Sequence, residues 1–313
     1  MQFSLVLLSK LISMMLMAIV GYILVKKHIL RQDDSRVISS LLVYVLQPCL
    51  IIRAFQIDLT PERMQGFVYG TIFATATMLA SILVTRLLQK PLKLDAIDRA
   101  TLIYSNVGNL ILPLVSMSLG DEMVFYCSAF LFPFNTLMWT HCCAIIKGGQ
   151  NIDYKRVLSN PNVIALALAI VLMLTRTKLP PVIDAAAKGF NDMVAASSMM
   201  LVGMVIAGSN LKSVFAYKKA YLISLGRLIA LPVFFILLLY ASGFLGRHPE
   251  LRPIFMVIML GAGAPSASSI VQVAVLYDKG AMKASIYNVM STILCVATMP
   301  LIVLLYQTLF PPI

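Results

Sequence analysis

Runs of about 20 apolar residues, the length that crosses a bilayer as a helix, recur along the whole chain and leave it little else to become. They fall near 4–25, 37–56, 65–88, 99–119 and 122–146, then 161–178, 190–209, 217–244, 251–276 and 283–309. The expected fold is therefore all-α and integral to the membrane, with ten transmembrane helices. Of the 313 residues 60% are hydrophobic and 12% charged, and a mean hydropathy of +0.90 excludes a water-soluble monomer. Ten spans consume roughly 200 residues, so no connection can hold a folded soluble domain, and no Walker A motif points to an ATPase. Neither an enzymatic site nor a cofactor is expected. The first run has no basic segment before it and is too long for a signal-peptide core, so it is expected to stay as a membrane helix. The five cysteines, at 49, 127, 142, 143 and 295, form no C-x-x-C pair, which indicates neither a disulfide framework nor a zinc site.

A net charge of +12 would suggest nucleic acid in a hydrophilic protein, but here the basic residues sit between the apolar runs. Alternate connections, starting with that between spans 1 and 2, hold sixteen Lys and Arg, including Lys26, Lys27, Arg36, Arg156 and Lys283, against seven on the other side. The positive-inside rule places the richer side in the cytoplasm. The expected protein is thus a multi-pass protein of the cell membrane, with both termini on the non-cytoplasmic side, the lipid bilayer as partner and no nucleic acid. Between Lys178 and Asp192, the residues Pro180, Pro181, Asp184 and Lys188 interrupt the apolar pattern and leave room for a short amphipathic helix.

Two spans are broken at mid-depth. Span 4 carries Asn106, Gly108, Asn109 and Pro113; span 9 carries Gly261, Gly263, Pro265, Ser266, Ser268, Ser269 and Gln272. A proline inside a helix removes an amide donor and displaces the carbonyl four residues back, and glycine lowers the cost of unwinding. Backbone freed in this way is tolerated at membrane depth only where it faces protein or a water-filled cavity. Pro113 and Pro265 lie 152 residues apart, each in the fourth helix of a five-helix half. Since five is odd, the halves 1–156 and 157–313 must enter from opposite sides, as two inverted repeats. Such matched interruptions mark a transporter's binding site.

A half-helix that starts at mid-membrane presents free amides and its positive dipole end, so the site favours an anion. With no Lys or Arg at the centre of either span, a carboxylate would be held by amides, Asn106, Asn109 and the serines after Pro265, weakly enough to be released. No acidic residue lies near the centre of a span, so nothing demands ion coupling. Asp192 is either a coupling acid or a cap at the start of span 7, the cap being the simpler reading. Gln47-Pro48 either borders the site or makes a packing kink, which is the simpler reading. Arg227 snorkels to the cytoplasmic face or pairs inside the bundle, and snorkelling is slightly favoured. Asn135 faces the cavity or bonds between helices. His141, Cys142 and Cys143 point in different directions on a helix and do not suit one metal.

At these residues the chain resembles the auxin efflux carrier family, which holds bacterial organic-anion transporters and the plant auxin exporters. The resemblance is carried by G-Y-I-L-V-K-K at 21–27, L-Q-P-C-L-I at 46–51, S-N-V-G-N-L-I-L-P-L at 105–114, Trp139, L-V-G-M at 201–204, Arg227 with Pro232, Ala264-Pro265, V-A-V-L-Y at 273–277 and M-P-L-I-V-L-L-Y at 299–306. It implies that spans 1, 2, 6 and 7 form a scaffold, often dimeric, and that spans 3–5 and 8–10 form a transport domain moving as an elevator. Spans 4 and 9 would cross at Pro113 and Pro265, and Asn106 would align with an asparagine that contacts the substrate carboxylate in plant relatives. Serine at 266, where those relatives commonly have glutamine, and a short connection between spans 5 and 6 favour a malate- or malonate-like carboxylate over an auxin-like one. The readings in competition with an efflux carrier or uniporter driven by membrane potential are a proton- or sodium-coupled symporter and a ligand-binding membrane sensor.

Overall fold

The computed structural model describes residues 2–149, 155 and 158–311. The expected boundary between halves at 156/157, Arg156, Met1 and Ile313 lie outside the described residues. Among the described residues the chain is helical, with a single isolated β-bridge. Seven helices are long and apolar enough to cross a membrane: α1 (Gln2–Lys26), α2 (Gln32–Ala54), α3 (Pro61–Leu88), α6 (Asp121–Lys147), α8 (Pro181–Gly208), α9 (Lys218–Ala241) and α12 (Ala281–Leu309). The remaining three expected spans differ in kind. Span 4 is two helices, α4 (Ala96–Ile103) and α5 (Val107–Leu119), and span 9 is two, α10 (Arg252–Ala262) and α11 (Ser268–Leu276). Span 6 shortens to α7 (Pro161–Leu174), whose 14 residues reach only about 21 Å at 1.5 Å per residue.

Proline shapes these helices in a repeated way. A π turn over Leu42–Leu46 ends two residues before Pro48, one over Val107–Ile111 two before Pro113, and one over Gly226–Ala230 two before Pro232. The carbonyl that each ring would strike lies inside the π turn, where one extra residue per turn moves it aside. Gln47-Pro48 therefore follows a π turn inside a continuous α2. The polar stretch before Asp192 is no separate amphipathic helix, because α8 starts at Pro181 and runs unbroken for 28 residues. Asp192 consequently caps nothing: it sits three turns into α8 and pairs with Lys188 at 2.8 Å, with both side chains more than half exposed.

The most extensive helix–helix packing is between α1 and α8. It depends on two glycines: a Cβ on Gly203 would lie 1.8 Å from the Ala18 carbonyl oxygen, and one on Gly21 would lie 2.2 Å from that of Met200. In a membrane, where lipid competes for apolar surface, such close backbone approach is what holds helices together. α2 packs against both α7 and α8. At the end of α2, Arg53 bonds Asp184 at 3.0 Å and reaches Asp121 at 3.9 Å. Nearby, a hydrogen bond from Lys178 and its charge hold the Asp58 carboxyl below the usual carboxylate range. The sharp join of α5 to α6 uses Gly120, whose φ of +81° is open to glycine and costly for other residues.

The opposite end carries a buried ionic cluster. Asp98 of α4 is fully buried and receives Lys219 of α9 and Lys283 of α12, each at 2.6 Å, the Tyr287 hydroxyl at 2.6 Å, and the Asp95 amide at 2.9 Å. It fastens the first half of span 4 to two other helices.

Candidate substrate site at the helix crossing

The two breaks meet. Asn106 donates its amide to the Pro265 carbonyl at 2.8 Å, and Ala267 donates to the Tyr104 carbonyl at 3.0 Å, so Ser105 and Ser266 form a one-residue antiparallel bridge. The crossing thus lies at Ser105 and Ser266 and not at Pro113, which is buried in α5 two turns further on. The reason is that proline perturbs backbone ahead of itself, and here the π turn absorbs that perturbation before it reaches the break. Pro265 does lie at the crossing. α12 bonds the backbone of Ser266: its amide donates to Ser291 Oγ at 3.0 Å, and its carbonyl accepts Asn288 Nδ2 at 2.7 Å. These bonds replace the intrahelical partners that a broken span has lost, as buried backbone requires.

Two helix N-termini open at this point. Asn106 caps α5 by accepting the Asn109 amide at 3.3 Å, while α11 starts after Ala267 without any side-chain cap. Asn109 ties them together, donating from Nδ2 to Ser268 Oγ at 3.1 Å. Its Oδ1 accepts Gln47 Nε2 at 2.6 Å, and Gln47 Oε1 in turn accepts Asn162 Nδ2 at 2.8 Å. A side-chain relay therefore links α7, α2, α5 and α11. Gly108 packs under it: a Cβ there would stand 3.3 Å from Gln47 Nε2 and press on the relay. Gln47 both follows the π turn and borders the site.

Two adjoining cavities flank the relay, sharing Ser39, Asn106, Asn109, Ser268 and Gln272. The smaller, of about 110 Å³, adds Gly108, Ser269, Asn135 and Trp139. The larger, of about 370 Å³, extends to Ser35, Arg36 and Ser285 at the helix ends that carry most of the Lys and Arg. Ser105 Oγ is buried on the smaller cavity without a partner, as is Ser266 Oγ at the crossing. Of the residues expected at the site, Asn106, Gly108, Asn109, Asn135, Ser268, Ser269 and Gln272 line these cavities; Pro265 and Ser266 contribute backbone at the crossing; Pro113 and Asp192 line neither. Asn135 bonds the Leu131 carbonyl of its own helix at 2.9 Å, not another helix.

Arg227 does not snorkel. It is 2% exposed and bonds the carbonyls of Leu102 and Ile103 at the end of α4 and of Ala264 in the break, because freed carbonyls at the crossing need donors. Asn162, Asn288 and Ser291 are further residues of the assembly. The last two were readable as a polar stripe with Tyr287, Thr292 and Cys295 on an otherwise apolar span, a pattern that faces the bundle interior. Tyr104, just before the break, bonds His141 Nδ1 at 2.8 Å and the Leu137 carbonyl, so His141 positions an aromatic ring. Among the described residues no group of three or more His, Cys, Asp or Glu is placed to hold a metal.

The sequence model of a family described as membrane transport protein matches residues 6–303. An uncharacterized transporter of Schizosaccharomyces pombe is 33% identical over 109 residues, which make up 34% of this chain and 24% of that protein. The match thus spans about a quarter of the length of that curated relative.

Proposed function

As this chain belongs to the membrane transport protein family, the auxin efflux carrier family its motifs resemble, and is a multi-pass transporter, we propose that it carries small organic carboxylates through the crossing of α4–α5 with α10–α11. The observation that carries this reading is the meeting of two half-helix N-termini on a cavity with Asn106, Asn109 and Ser268 at its base. Each N-terminus supplies roughly half a positive charge, and the uncapped amides of α11 need an acceptor. Neutral donors hold a carboxylate less tightly than a buried arginine would, which suits a carrier that must let go. The cavity volume of about 370 Å³ admits a malate- or malonate-like ion and an auxin-like acid alike, and the preference for the smaller ion rests on Ser266 and the short connection between spans 5 and 6. An anion leaving a negative-inside cell gains about 2.3 kcal/mol per charge per 100 mV, so efflux needs no further driving force.

In this reading the ten spans are two inverted five-helix repeats. α1, α2, α7 and α8 are the scaffold, supported by their mutual packing, and able to pair with a second copy. α3–α6 and α9–α12 are the transport domain, which moves as an elevator. The larger cavity reaches the Lys- and Arg-rich end while Arg53 closes the other, an arrangement that fits an inward-facing state in the cell membrane with both termini outside. The test is a thermal-shift screen of carboxylates on the purified protein, followed by flux of the best ligand in proteoliposomes at imposed potentials. Saturable flux that follows the potential supports the proposal. Ligand binding without flux would make the protein a sensor, and flux that requires a sodium or proton gradient would make it a symporter.

A further inference from the structure

One side chain joins the carbonyl end of the first half-helix of span 4 to the unwound backbone just past the first half-helix of span 9. α4 ends at Ile103 and α10 at Ala262. Between them Arg227 donates from Nη1 to the Leu102 carbonyl at 2.8 Å and the Ile103 carbonyl at 3.3 Å, and from Nε to the Ala264 carbonyl at 3.0 Å. The partners bonded to this fully buried guanidinium are backbone oxygens, and its Nη2 has no hydrogen-bond partner. Each helix C-terminus carries roughly half a negative charge, so the pair presents about one, which one guanidinium balances.

Broken-helix transporters use such carbonyl ends to coordinate the coupling cation. We propose that Arg227 is a tethered substitute for that cation: its guanidinium occupies the carbonyl cage beneath the crossing, so carriage needs no sodium, and removing it would expose a sodium site. This rests on reading the chain as a carboxylate carrier. A planar fork of donors suits several carbonyls at once, and a side chain cannot leave with the cargo. The charge moved per cycle is then that of the substrate alone.

The test compares thermal-unfolding midpoints of the purified, substrate-free protein in sodium chloride and in choline chloride at equal ionic strength. The wild type and Arg227→Lys should show no sodium effect. Arg227→Ala and the volume-filling Arg227→Met should unfold at lower temperature in choline and recover saturably with sodium, by about 3 °C at ten times its Kd. A sodium-dependent rise in the wild type, or folded neutral variants indifferent to sodium, would overturn the proposal. Should neither neutral variant fold, wild-type flux decides: equal rates in sodium and choline support the proposal, and a sodium requirement overturns it. Absence of flux for every carboxylate would count against the carrier reading alone, because the midpoints need no substrate.

Discussion

Replacing Asp98 by alanine is expected to lower the apparent unfolding midpoint by about 6 °C. Its carboxylate is fully buried and takes Lys219 Nζ, Lys283 Nζ and the Tyr287 hydroxyl, all at 2.6 Å. Removing one partner of a buried ion pair costs about 3–5 kcal/mol, because the charge left behind is uncompensated. Here the stranded lysines keep 30% and 20% of their side-chain surface exposed, so water screens them and the lower figure, about 3 kcal/mol, applies. At about 2 °C per kcal/mol for a chain of this size, that is the stated shift. Asp95 provides the contrast. It also pairs with Lys283 but is 56% exposed, and its main contribution is the cap on α4, bonding the Asp98 amide at 2.9 Å. Loss of that cap costs about 1 kcal/mol, a third of the effect. The assay is fluorescence of the single tryptophan, Trp139, in detergent at a fixed scan rate. A drop below about 2 °C for Asp98→Ala, or equal drops for both variants, would refute the view that buried charge fastens α4.

Gly203→Ala should separate α1 from α8, since its Cβ would lie 1.8 Å from the Ala18 carbonyl; overpacking of this kind costs about 3 kcal/mol or more, and an unchanged midpoint would contradict the close approach. Asn109→Ala strands Gln47 Nε2 and Ser268 Oγ, at about 1–3 kcal/mol, and should cut flux at subsaturating carboxylate about tenfold while membrane expression persists; wild-type flux would remove Asn109 from the site. Arg53→Ala releases Asp121 of α6, the one of its two carboxylate partners that lies on the transport domain, and with that side chain 46% exposed the pair contributes about 1 kcal/mol. That is about a fivefold gain in the outward-facing population, read as faster labelling of a Ser269→Cys variant by an impermeant maleimide added outside, and an equal rate would contradict the closing role of Arg53.

The apolar runs located the long helices to within a few residues, as α6 and α12 show, because a span must satisfy its own backbone and its length is dictated by the bilayer. The exception is α8, where Pro181 starts the helix nine residues early: a proline in a polar stretch resembles a breaker but is well suited to a first turn. The broken spans were legible from their glycines, prolines and amides. Where they cross was not, since Pro113 is the landmark in the sequence and the break lies a whole π turn ahead of it. Residues that act by long-range pairing were the hardest to place. Asn162 reaches Gln47 across 115 positions and Arg227 reaches Leu102 across 125, and neither has a local signature beyond being polar in an apolar run. Asp98 lies just before the expected start of span 4 and reads as an ordinary end residue until Lys219 and Lys283 close over it.

A carboxylate seated on the two half-helix N-termini at the crossing must lose affinity when Asn106 is truncated. Equilibrium binding of the best carboxylate from the thermal-shift screen to the purified wild type and to Asn106→Ala measures this. Asn106 is 7% exposed, caps α5 and lines both cavities. Loss of one charge-assisted bond of about 1.5–3 kcal/mol predicts a Kd at least tenfold weaker in the variant, with the folded protein recovered in normal yield. An unchanged Kd would place the ligand away from the crossing.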